Sequence, residues 1–180
     1  MASTTQLLAA GFSQDQIAAL ERRRAIVRVH DGVFRTAATV LTPRRRLLAA
    51  CLAIGGVVAA SDRAALWLWD LHDDEPPVEV ATSGLSRPAP EGVAVHIRRD
   101  LEACQVSVRR GVPVTSPART LTDVGTVVDR ETLACAVDKA LYLRLVSLQQ
   151  LRGVVGSSAG TADAGIEALG AVLGHRVHGF

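Results

Sequence analysis

A chain of 180 residues, 48% hydrophobic, 21% charged and of net charge +2, can bury a real core, which excludes a peptide or a fibre. Its apolar run 47–60 follows Arg44-Arg45-Arg46 but lies too far from the N-terminus for a signal sequence. The run also falls short of the roughly 20 apolar residues that span a bilayer, and Gly55-Gly56 divides it, so a cytoplasmic protein with no membrane partner is expected. Charge is unevenly spread. Residues 1–46 hold eight arginines against three acids, a net of +5, whereas the remainder is net −3. A positive field confined to one end suits phosphate neutralisation.

In chain order, a short helix over 4–10 is followed by Gly11 and then by Ser13 with Gln16 three residues on, a capping box that starts a second helix. At 3.6-residue spacing Ser13, Ile17, Leu20 and Arg24 share one face of it. Asp15, Ala18, Ala19 and Arg22 take the other, with Gln14 near its leading edge. Small and polar residues there suit entry into a DNA groove. The alternation Ile26, Arg28, His30 against Val27, Val29 reads as a strand, and Asp31-Gly32 favours a two-residue hairpin turn. Together these make the outline of a winged helix-turn-helix in residues 1–38, an outline that points to double-stranded DNA. Gln14, Asp15, Ala18 and Arg22 are expected to face bases, with Arg23, Arg24, Arg28, His30 and Arg35 at phosphates or on the wing.

Residues 39–152 read as a mixed αβ domain, so the fold class is α+β with a short sheet and packed helices. Thr42-Pro43 starts a helix that stops at Gly55-Gly56, Val57–Ala60 is a short buried strand or turn, and Ser61 caps a helix bearing Leu66, Trp67 and Trp69 as packing anchors. After Pro76-Pro77 the period becomes two. Residues 78–80, 93–97 and 106–108 read as strands, and 112–114 as a further edge strand. Helices follow from Ser116, from Asp129 and from Ser147, the last ending near Gly153. The Gly, Ser and Ala that dominate 153–161 read as a linker, with a weak helix over 164–173 in a loosely ordered tail, 153–180.

The segments 7–13, 28–34, 41–43, 59–67, 95–98 and, most specifically, Val114 to Asp123 resemble the AbiEi-type antitoxin family, over roughly residues 4–152. That resemblance implies a winged helix-turn-helix that represses a toxin-antitoxin operon, and an αβ region that counters the toxin, a possible indirect partner. It also implies that the family's first helix is missing here. Many relatives continue into an endonuclease domain similar to very-short-patch repair enzymes. Two alternatives stand beside this reading. One is a front-end fragment of such a nuclease without its catalytic domain; the other is a protein-interaction module with a vestigial DNA-binding head.

No catalytic residue, metal or cofactor is expected. A nuclease of that class needs clustered carboxylates and a lysine, yet Asp70, Asp73, Asp74 and Glu75 read as a solvated loop with no lysine near them. Arg119 and Asp123, four apart on one helix, read as a structural pair contributing ~0.3 kcal/mol if exposed. Cys51, Cys104 and Cys135 match no zinc or redox spacing and read as small buried hydrophobes. Of the histidines only His175 and His178 are close enough to share a ligand face, without a carboxylate or cysteine beside them.

Overall fold

The computed structural model describes residues 1–85, 88–157 and 163–174, and is a mixed α+β structure with eight α-helices and two sheets among them. The N-terminal unit runs β1 (Ala2–Ser3), α1 (Thr4–Ala9), α2 (Gln14–Arg22), β2 (Ile26–His30) and β3 (Val33–Thr36). Both helices begin at serine capping boxes. Ser3 accepts from the Gln6 amide and Ser13 from the Gln16 amide, and each glutamine side chain returns to the cap. The three strands form an antiparallel sheet in the order β1-β3-β2, with a register shift between Arg28 and His30 beside the Asp31-Gly32 turn. Gly32 sits at φ 66°, and its carbonyl accepts the Thr4 amide at 2.7 Å, which ties the start of α1 to the hairpin tip.

That unit has a small core. Val33 and Phe34 are buried on β3, Ile17 alone on α2, and no residue on α1. It leans on α3 (Pro43–Ile54), which packs against all three strands. Thr42 caps α3 with Pro43 in its first turn, and Gly55 at φ 71° ends it.

The larger sheet contains β4 (Val58–Ala60), β5 (Glu79–Thr82), β6 (Ala94–Ile97), β7 (Val106–Arg109) and β8 (Val112–Thr115), in the order β6-β5-β4-β8-β7. The pairs β4/β8 and β5/β6 are parallel, and β4/β5 and β7/β8 antiparallel. Its centre is β4, the segment whose sequence allows either strand or turn. The expected edge strand 112–114 is instead internal, lying between β4 and β7. Pro113 is tolerated there because pairing with β4 is registered at Ala60 and Val114, leaving the proline without a partner on that side.

Helices α4 (Asp62–Leu68), α5 (Pro117–Asp123), α6 (Arg130–Tyr142), α7 (Leu148–Ser157) and α8 (Ala164–Leu173) complete the body. Leu66, Leu68, Val114, Leu121, Leu133, Val137 and Leu151 are fully buried in one cluster, each contributing about 1.5–3 kcal/mol by leaving water. Trp69 closes α4, donates from Nε1 to the Thr115 carbonyl at 2.9 Å, and carries the Arg109 guanidinium over its ring.

Two expectations for the C-terminal segment are corrected. Helix α7 continues through Gly153 to Ser157, where a linker is expected, and residues 164–173 are not loose. Leu169, Val172 and Leu173 belong to the main core. The small residues that resemble a linker let helices approach closely: a Cβ on Gly125 would stand 2.7 Å from the Gly165 carbonyl oxygen.

Candidate functional site

On α2 a rotation of about 100° per residue separates two stripes. Ile17 is buried, and Gln14, Ala18 and Glu21 line an open cleft of about 860 Å³ whose other wall is the end of α3, including Leu52 and Ile54. Asp15, Arg22 and Arg23 are exposed on the other side. Of the residues expected to face bases, Gln14, Asp15 and Arg22 are exposed and Ala18 is half-buried, and Gln14 and Ala18 also line the cleft.

The arginines divide sharply. Arg22, Arg23 and Arg24 are exposed at the end of α2, and none has a side-chain partner among the described residues. Arg24 takes the left-handed conformation at φ 56°, which ends the helix. Cations at this end also complement the helix dipole.

Arg28 is engaged inside the protein. Its Nε donates to Glu21 Oε1 at 2.9 Å, Nη2 to Glu21 Oε2 at 3.0 Å and Nη1 to Asp31 Oδ1 at 3.0 Å, while the guanidinium lies 5.2 Å over Phe34. The Glu21 carboxyl is held below its usual range by that bidentate bond. Arg35 is engaged as well: Nη1 donates to the carbonyls of Thr36, Ala37 and Thr39, fastening the chain that leaves β3. Neither presents the free guanidinium expected of a phosphate contact. His30 is half-buried beside the hairpin turn, and burial pushes its ring pKa down.

A second concentration of charge lies in the body. Residues 61–63, 96–100 and 119–123 converge. Glu79, Ala81 and His96 project from one sheet face because alternate strand residues do. Asp62, fully buried at φ 52°, accepts from the Ser61 hydroxyl at 2.7 Å through Oδ2. His96 Nε2 stands 3.5 Å from that oxygen, and Arg98 Nη2 3.7 Å from Asp62 Oδ1. Ser61 thus spends its hydroxyl on Asp62 instead of capping α4. Arg63 pairs with the buried Glu79 at 3.0 Å and donates to the Val127 carbonyl.

Arg119 and Asp123 anchor the other side. They are 10% and 7% exposed, so the exposed pair expected from their spacing is a buried bond, with Nε donating to both Asp123 oxygens at 2.9 and 3.0 Å. Unpartnered buried polar atoms collect here: Asp62 Oδ1, His96 Nε2 and Arg98 Nε are three of the four among the described residues. Composition and periodicity do not reveal this cluster, since its members lie on three elements.

The acids of the loop 70–75 reach solvent, as a solvated turn requires, but the expectation that no lysine lies near them is corrected. Asp70 pairs with Arg109 and Arg110, Glu75 with Arg46, and Lys139 reaches Asp73 at 3.4 Å across the fold. The acids are dispersed among separate cations, and no metal-ligating cluster of His, Cys, Asp and Glu occurs among the described residues. Cys51 is buried, whereas Cys104 and Cys135 are exposed, contrary to the expectation that all three are core residues. His175 and His178 lie outside the described residues.

No described helix is long and apolar enough to cross a membrane. No protein-family model matches the chain, and no curated protein matches it.

Proposed function

We propose that this chain is a non-enzymatic, DNA-binding regulator of the antitoxin-like kind, with a winged helix-turn-helix head in residues 1–38. The observation that carries the reading is the row Arg22, Arg23 and Arg24, exposed and unpartnered at the end of α2, in a unit where helix, turn, helix and hairpin follow one another. Asp15 and Arg22 meet base edges, Arg23 and Arg24 meet phosphates, and Arg28 contributes only when released from Glu21. The test is selection of duplexes from a randomised library, followed by binding across a salt series. Recovery of one motif, bound with a salt slope near −0.9 per phosphate contact, supports the reading. Binding that is salt-independent or equal for all sequences contradicts it.

A second reading is favoured by one observation, the buried ionic cluster in the body. In it the αβ region is the active part and meets another protein, while the head is vestigial. Retention of a genomic neighbour's product without any retention of DNA supports that reading.

A further inference from the structure

Arg119 is held so that one edge of its guanidinium is fixed and the other is open to exchange. Asp123, 7% exposed, fixes Nε from below. Above, the Asp100 carboxylate meets the Nη edge fork to fork, with Oδ2 2.7 Å from Nη1 and Oδ1 3.3 Å from Nη2, and the Gln105 amide oxygen shares Nη1 at 3.2 Å. Asp100 is 73% exposed and lies in the loop that follows β6. This is a demonstrated oxyanion geometry in which the guanidinium is largely buried and the carboxylate that occupies it faces solvent, so the acid can swing away while the arginine stays in place.

Arg98 shares its anchor, and His96 lies on the Asp62 side of the cluster. Arg98 is anchored by charge to the same oxygen as Arg119, Asp123 Oδ1, at 4.0 Å, yet its Nε makes no hydrogen bond. His96 Nε2 is likewise without a hydrogen-bond partner. The buried Asp62 and Asp123 face the two guanidiniums, so Asp100 is the exposed acid that an incoming anion displaces from the Nη edge. From this arrangement we infer that the Nη edge of Arg119, with Arg98 beside it, is a binding site for a phosphate group, and that Asp100 is its tethered stand-in. A phosphate has three equivalent acceptor oxygens where Asp100 has two, and so can meet both arginines at once.

The experiment is titration of the full chain with inorganic phosphate, read by calorimetry and by the His96 ring resonances. In Asp100→Asn the tethered competitor loses its charge, and affinity for phosphate rises about tenfold, the scale of one like charge removed at ion-pair distance. Adding Arg98→Gln or Arg119→Lys to that variant abolishes the gain. Phosphate binding that is no tighter in Asp100→Asn than in the parent chain overturns the inference. So does a gain that survives both arginine changes. Asp100 is exposed, so the deciding single variant retains the fold.

Discussion

Glu21 and Arg28 join α2 to β2 through two parallel hydrogen bonds of 2.9 and 3.0 Å, and in doing so they withdraw the central arginine of the hairpin from solvent anions. The carboxylate of Glu21 stands where a phosphate oxygen would bind. Any ligand using Arg28 must compete with it.

Glu21→Gln therefore strengthens binding to all duplexes alike. The slope of log affinity against log salt steepens by about 0.9, because one more cation becomes free to neutralise a phosphate. The head also loses a tie between helix and strand, so its thermal midpoint falls. An unchanged slope shows that Arg28 has no part in the interface.

Arg22→Ala lowers affinity for the preferred sequence more than for others, as expected of a side chain that meets base edges. Arg23→Ala and Arg24→Ala weaken all sequences equally, each flattening the salt slope by about 0.9. Binding isotherms on selected and scrambled duplexes separate the two behaviours, and identical losses for all three contradict the assignment.

Gly125→Ala places a methyl group 2.7 Å from the Gly165 carbonyl oxygen, so α8 must shift from the turn at 124–126 that follows α5. Overpacking of this kind costs about 1–3 kcal/mol. The midpoint of thermal unfolding drops, and protease cuts within residues 158–174 earlier than in the parent chain. Equal stability of the variant implies that α8 packs more loosely than its contacts indicate.

Stability depends on pH through His30, whose folded pKa lies below 6.5 because burial disfavours the charged ring. Between 6.5 and that lower value the unfolded chain holds a proton that the folded chain does not. Stability is therefore unaffected above this window and falls as pH drops through it. His30→Gln removes that part of the acid sensitivity, which thermal melts from pH 7.5 to pH 5 measure.

The thiols differ in reactivity. Burial pushes the Cys51 thiol up to about 12, so it stays protonated and inert in the folded chain. Cys104 and Cys135 are exposed. A thiol reagent at pH 8 titrates two groups quickly and the third only on unfolding. Three fast thiols would show that the α3 end opens in solution.

Local chemistry made much of this fold legible. Ser13 with Gln16, Thr42 with Pro43 and Asp129 each mark a helix start, and each cap forms as its residue type requires. What local chemistry does not carry is the identity of facing residues. The spacing of Arg119 and Asp123 indicates a pair, but burial and the third partner, Asp100, depend on the loop after β6. Nor does composition show that Gly125 and Gly165 meet face to face, a contact that seats α8, which was expected to be loose, on the body. At the candidate interface, the arginine-rich character was legible, but the engagement of Arg28 and Arg35 was not, because one acceptor is Glu21 on α2 and the others are backbone carbonyls placed by the turn that leaves β3.

The close seating of α8 on α5 gives the C-terminal segment a mechanical role. Because α5 also carries Arg119 and Asp123, a cut at the compositional boundary near 152 would strip the buttress behind those two side chains. Dissection of this molecule into working halves must keep the last helix with the body, and an adaptor fused to the C-terminus would strain the arginine cradle from behind.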